Sequence, residues 1–452
     1  MLNSINSNLI TATLIKFKEK YIQISMVIIT VVMTILRFLL NEKGRTNPDS
    51  IRYMRFAHVF PEIDNTTTPV GYPLFIKFFT FFGTDEFWSS KIVGLLSLLF
   101  IIYFAWRKNF FLKETIVLCS LFSFLSIFAF TMSEALILPF VFLFTYCSYQ
   151  IINKKLTGFK AIFYLSISLI ALYNIRYSSL FFIGATGFFG LLFWKKEYSK
   201  IFIVSALIGL IFIVGYKFLF IDYFNSNYVK TFLEIGLYPT SKLLKELAQG
   251  LATTFNPFIH ISNPSGGKIN YAIYGIGIIN IILMIYLFSS KKLNETEKFV
   301  LIVGVFGIIC SYFIQYFYAI TPLDYRLLAP FSFMIWLLYF KKMFENFGNK
   351  VYVIGLLSLC SGLLFTILSK GNYLENRKEI TKFLKDEKLD KTPILYYLKN
   401  EEDLENIQIA ELISTVNSNI DVTFKPSDTL KRKTLTYHKV LQKIKIDKNK
   451  YQ

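Results

Sequence analysis

Eleven stretches of this 452-residue chain contain no Asp, Glu, Lys or Arg: 21–36, 92–106, 115–133, 135–153, 161–175, 177–194, 201–216, 269–290, 299–323, 327–340 and 351–369. A helix needs about 20 mostly apolar residues to cross ~30 Å of hydrocarbon. The shorter runs approach that length when Lys or Arg at their ends reach for the headgroups. The chain is 54% hydrophobic and 17% charged, whereas a soluble chain would be about 25% charged. The expected fold class is therefore an all-α polytopic membrane protein with about eleven transmembrane helices.

A net charge of +19 would fit a nucleic-acid binder, but its distribution argues for topology instead, because Lys and Arg are retained in cytoplasmic loops. Three basic residues fall in each of six segments: Lys16, Lys18 and Lys20; Arg107, Lys108 and Lys113; Lys154, Lys155 and Lys160; Lys195, Lys196 and Lys200; Lys291, Lys292 and Lys298; and Lys341, Lys342 and Lys350. The intervening turns near Ser133, Tyr177 and Thr321 hold few. This pattern puts the amino terminus inside and, after an odd number of spans, the carboxyl terminus outside. The first run is long and lacks a small-residue cleavage site, so it reads as a retained anchor rather than a signal peptide.

Cys119, Cys147, Cys310 and Cys360 all fall within expected spans, and His58, His260 and His438 are scattered. No structural disulfide and no metal-ligand spacing follows from them. There is no Walker motif and no glycine fingerprint; Gly184, Gly187 and Gly190 read as a helix-packing surface. Cytoplasmic loops are short, so any chemistry belongs on the outer face. Three outer segments are long enough to have structure of their own: 41–91, 217–268 and the tail 371–452, the last expected to be a small α/β unit after a transmembrane domain over 1–370.

The first outer loop carries most of the information. Asn47 before Pro48 is a helix start, and Asp49 sits in the first turn, where the helix dipole favours a carboxylate. Tyr53, Phe56 and Phe60 follow on one face, with Arg52 and Arg55 near the headgroups, as in an interfacial helix. Asp49 reads as a base near the membrane surface or as a capping charge only. Pro69-Val-Gly-Tyr-Pro73 then forces a rigid entry to a short apolar helix, re-entrant or juxtamembrane.

Pro48-Asp49-Ser50-Ile-Arg-Tyr53 after the first span, Pro69-x-Gly-Tyr-Pro73 about twenty residues later, and Thr131-Met-Ser-Glu134, Tyr173-Asn-Ile-Arg-Tyr177 and Asp324-Tyr-Arg-Leu-Leu-Ala-Pro330 at later span ends together resemble polytopic GT-C superfamily glycosyltransferases. The likeness is to the RgtA/B/C/D-like and aminoarabinose-transferase-like branch and covers roughly 20–370. It implies sugar transfer from a polyprenyl-phosphate donor to an extracytoplasmic acceptor (glycan, lipid or protein), by a multi-pass enzyme of the plasma membrane, with Asp49 as base. Arg326 and Arg176 are the expected donor-phosphate ligands, and Glu134, Arg52, Tyr53, Tyr72 and Lys268 the expected substrate contacts. From the residues alone, Arg176 also reads as a snorkelling anchor and Glu134 as a turn cap. Lys230, Lys242, Lys245, Lys268 and His260 make loop 217–268 either a lid over the lipid phosphate or a solvated face.

Some family members pair two acids in this loop to hold a metal. Here Ser50 and Ile51 follow Asp49, so a metal-independent site without cofactors is expected, acting as a monomer. The competing functions are a lipid-linked oligosaccharide flippase or transporter, for which no inverted repeat is visible, and an O-antigen ligase or polymerase.

Overall fold

A computed structural model describes residues 2–63, 66, 68–225, 240–260, 268–317, 325–400, 403–431, 434 and 435. Lys230, Asp324 and the turn near Thr321 lie outside these residues, as do the side chains of Lys242 and Lys268. Among the described residues, eight helical stretches are long and apolar enough to cross a membrane, or nine if the bent pair Leu112–Cys119 and Phe122–Ala129 is one span.

Each of the eleven uncharged runs contains helix among the described residues, but three physical features lower the count. Run 115–133 breaks where Leu121 adopts an extended backbone, bending the pair by 72°; the freed Phe122 amide donates to Ser358 Oγ at 2.8 Å. Run 177–194 gives a shorter apolar helix, Tyr177–Leu192. Runs 327–340 and 351–369 lie in one stretch, Ala329–Leu368, which contains two helices, Ala329–Phe347 and Tyr352–Leu368. These two run in opposite directions: Lys342 near the end of the first reaches Glu297, and Tyr352 at the start of the second donates to Glu19, while Ser369 beyond the second meets Arg37. Left-handed Gly348 makes the reversal.

The basic segments collect at one end of the bundle through a chain of ion pairs and hydrogen bonds. Lys113 pairs with Glu19 at 2.6 Å, Lys341 and Lys342 with Glu297 at 2.7 and 2.9 Å, and Lys154 with Glu197 at 2.6 Å; Asn153 donates to Thr296 at 3.3 Å. Arg37, Glu134, Arg176 and Arg326 lie at the opposite ends of their helices. All four cysteines are free, and none faces a disulfide partner.

At that opposite end, the helix Pro48–Val59 (α1) starts as its sequence requires. Asn47 accepts from the Ser50 amide, and Ser50 Oγ accepts from the Asn47 amide in a capping box, with Pro48 in the first turn. The expected interfacial setting is corrected: its apolar face is covered by protein rather than lipid. Tyr53 faces the membrane bundle, while Ile51 and Met54 join the core of the carboxyl-terminal unit. The cause is non-local, since the covering residues lie over 300 positions downstream. The next helix, Gly71–Thr80 (α2), buries Tyr72, Pro73 and Ile76 and exposes Phe78, as a short juxtamembrane helix should.

The tail forms an α/β unit. Strand Ile394–Tyr397 (β1) pairs in parallel with Ile420–Thr423 (β2) and Thr434–Leu435 (β3), in the order β2-β1-β3. The helix Leu404–Ser414 crosses between β1 and β2, and burial of Tyr396, Ile409, Ile413 and Ile420 holds the layers together. Because Ile51, Met54 and Phe87 complete the same core, the tail and segment 41–91 pack together across the expected boundary at 370. Two ion pairs reinforce it: Lys43 with Glu411, both buried, and Arg377 with Asp85. Breaking a buried pair strands a charge. Glu411→Gln is therefore expected to lower stability by about 3 kcal/mol, whereas Lys43→Met with Glu411→Leu restores most of it; thermal unfolding of the three proteins checks this.

Candidate functional site

Glu134 is the second residue of the helix Ser133–Ile152 (α3), fully buried. A lone carboxylate there costs several kcal/mol of lost hydration, and the fold supplies two cations against it. Arg176 Nη1 lies 2.7 Å from Glu134 Oε1 and Arg326 Nε lies 3.6 Å from it. Arg176 ends the helix Gly158–Ile175 in an extended conformation that turns its side chain inward, where Nε donates to Ser178 Oγ at 2.9 Å. Burial alone lowers its pKa, but the Glu134 carboxylate outweighs burial and holds the guanidinium above its ordinary value. Arg326 immediately precedes the helix that starts at Ala329. Neither arginine is a free lipid anchor.

The tyrosines from the first outer loop join this group. Tyr53 Oη lies 2.9 Å from Ser133 Oγ, which donates in turn to Glu134 Oε2 at 3.4 Å. Tyr72 meets Tyr53 edge to face at 5.0 Å, close to Ser90 and the Met132 backbone. Burial pushes both phenols up, Tyr53 further because Glu134 is near and Tyr72 further because Tyr53 is. Both therefore stay protonated and are not bases; among the described residues the Tyr72 hydroxyl has no hydrogen-bond partner. Tyr177 Oη donates to the Thr66 carbonyl at 3.0 Å, tying Thr66, upstream of Tyr72, to the Arg176 turn.

Asp49 and Arg52 are placed differently. Their side chains are 47% and 58% exposed and 3.9 Å apart. Tyr53, one turn on, feels both Asp49 and Glu134, and the buried Glu411 of the tail also feels Asp49. The fold thus brings Glu134, Arg176, Arg326, Tyr53 and Tyr72 into one group and sets Asp49 at its rim, facing solvent. Lys268 opens a helix, but its side chain lies outside the described residues. Residues 255–260 pack inward: Ser358 and Ser361 donate to the Pro257 and Phe258 carbonyls at 2.6 and 2.7 Å. His260 lies between Phe122 and Tyr325, with ring centroids at 4.6 and 3.7 Å.

Sequence reading passed over two more cations at this end. Arg37 and Arg45 are 4% and 2% exposed. Neither carries a local signal: Arg37 closes an uncharged run as a headgroup anchor would, and Arg45 sits in a stretch with several other charges. Among the described residues no group of His, Cys, Asp and Glu is arranged to hold a metal ion.

No family model matches this sequence, and no curated protein matches it. Among solved structures, the fold is similar to that of an oligosaccharyltransferase of Archaeoglobus fulgidus tethered to an acceptor peptide containing an NVT sequon, at 12% identity and a TM-score of 0.49, over 90% of this chain and 64% of that one. The chain thus spans less than two thirds of that enzyme's length.

Proposed function

We propose that this protein is an integral-membrane glycosyltransferase that moves a sugar from a polyprenyl-phosphate-linked donor to an acceptor on the extracytoplasmic face. The observation that carries the reading is the buried Glu134 held by Arg176 and Arg326 at the bundle end opposite the lysines. Ionisable groups are expensive at such depth and are kept where they act. In the proposed reaction an acceptor hydroxyl attacks the anomeric carbon as the bond from that carbon to the phosphate oxygen breaks. The hydroxyl proton passes to the Asp49 carboxylate, and polyprenyl phosphate leaves with its negative charge raised by one. Asp49 is exposed and at the rim, where an acceptor arriving from water meets it. The growing phosphate charge calls for fixed cations in a site from which water is excluded, and Arg326 and Arg176 supply them. Tyr53 and Tyr72, held protonated, are donors for sugar hydroxyls.

Arg326→Ala is expected to lower kcat by about 10²–10³-fold, the scale for losing one fixed charge donor at a reacting centre, with Arg326→Lys recovering part. Transfer of a labelled sugar from polyprenyl-phosphate donors to an acceptor mixture measures this. An unchanged rate in Arg326→Ala would remove the arginine from the reaction.

A further inference from the structure

Arg176 and Arg326 share one carboxylate, but among the described residues Arg37 and Arg45 have none. Arg37, in the last turn of the first span, donates Nη1 to Ser369 Oγ at 3.3 Å and lies over the Phe122 ring at 4.6 Å, while its Nε has no partner. Arg45 stacks on Phe130 at 3.8 Å, its Nε and Nη2 have no partner, and the Tyr325 hydroxyl is its polar neighbour. The charges that each arginine feels are the other's, together with Tyr325 and, for Arg45, Arg326. His260, set between Phe122 and Tyr325, also leaves Nδ1 unpartnered and feels both arginines. Among the described residues no acid faces either guanidinium.

Such an arrangement is costly. A buried charge with no counterion and with unpartnered N–H groups is strongly disfavoured, and Arg45 is also built on strained backbone. Gly44 and Arg45 both adopt left-handed conformations, at φ +65° and +59°, which a non-glycine residue does at a cost of about 1–3 kcal/mol. The turn is fixed deliberately: Asn41 Oδ1 accepts from the Lys43 and Arg45 amides at 3.1 and 3.2 Å, and the Arg45 carbonyl accepts from the Thr131 amide at 3.2 Å. A Cβ at Gly44 would come within 2.6 Å of the Phe87 ring, so glycine is required for the turn that buries Arg45.

We infer that Arg37 and Arg45, with the His260 ring beside them, form an anion site that receives a phosphoryl group. Guanidinium forks match phosphate oxygens geometrically, and water-poor aromatic walls strengthen the contact. The ligand chemistry is a phosphate monoester or phosphate ion, from a lipid headgroup or from solution. Resting on the proposed function, the site takes the phosphate end of the lipid donor or of the polyprenyl phosphate released, beside Arg326, whose charge Arg45 feels.

Binding tests this apart from transfer. The full chain in detergent is heated with polyprenyl phosphate, with inorganic phosphate, or with the uncharged polyprenol. Phosphate-bearing probes are expected to raise the unfolding midpoint by about 3 °C or more at saturation, and polyprenol is expected to have no effect. Arg45→Gln and Arg37→Gln are each expected to weaken phosphate binding at least about tenfold while the probe-free protein keeps or gains stability, since an uncompensated charge has gone. Response to polyprenyl phosphate alone assigns the site to the lipid headgroup; equal response to both probes assigns it to free phosphate. No shift with either probe, full shift in both variants, or a large loss of probe-free stability would overturn the site. Binding that behaves as stated in a protein that transfers no sugar leaves the site standing and removes the glycosyltransferase reading.

Discussion

Glu134→Gln is expected to cost about 3–5 kcal/mol, the penalty for removing one partner of a buried ion pair, and to abolish activity with it. The side chain is 1% exposed and takes charge contacts from Arg176 at 2.7 Å and Arg326 at 3.6 Å. The amide has the same shape but no charge, so the Arg176 guanidinium, 15% exposed, is stranded and its hydrogen bond to Ser178 cannot compensate. The Tyr53 to Ser133 contact loses its anionic end as well. Glu134→Asp keeps the charge one methylene short and is expected to recover about half the loss. Chemical or thermal unfolding in detergent reads both; a Gln variant within about 0.5 kcal/mol of the parent would mean that the pair contributes nothing.

The second large effect separates chemistry from folding. Asp49→Asn is expected to reduce transfer by about 10²–10⁴-fold, the range for a lost general base, with stability within about 0.5 kcal/mol of the parent, as for exposed sites generally. Asp49 is half exposed, and its only ion pair among the described residues is a 3.9 Å contact with Arg52, worth little in water. The α1 capping box uses Asn47 and Ser50, so the helix start survives. Loss of rate at constant stability identifies a reacting group; loss of both would make Asp49 structural.

Much of this arrangement can be read in the chain. Uncharged runs mark helices, the lysine triplets mark one end of the bundle, and the rare charges at the other end, Glu134, Arg176 and Arg326, turn out to touch one another. Asn47-Pro48 gives the start of α1 to the residue. What local pattern does not carry is everything set by distant packing. The apolar face of α1 looks membrane-bound because Tyr53, Phe56 and Phe60 recur at helical spacing, yet Ile51 and Met54 are covered by a tail that folds back from beyond residue 370. Arg45 looks like a solvated loop residue. Its burial depends on a left-handed turn at Gly44 and Arg45 and on a hydrogen bond to Thr131, 86 positions away, neither of which leaves a periodic signature. Arg37 is invisible for a related reason, since an arginine closing a span reads as a headgroup anchor until Ser369 and Phe122 enclose it.

The central claim is chemical, and one reconstitution tests it. Proteoliposomes carrying the full chain are supplied on the extracytoplasmic face with a polyprenyl phosphate bearing a labelled sugar and with an acceptor mixture. The account predicts label on the acceptor, an equal amount of polyprenyl phosphate released, and neither product with Asp49→Asn. Labelled lipid that crosses the bilayer intact, with no polyprenyl phosphate released, would contradict it and make the protein a lipid-linked sugar transporter.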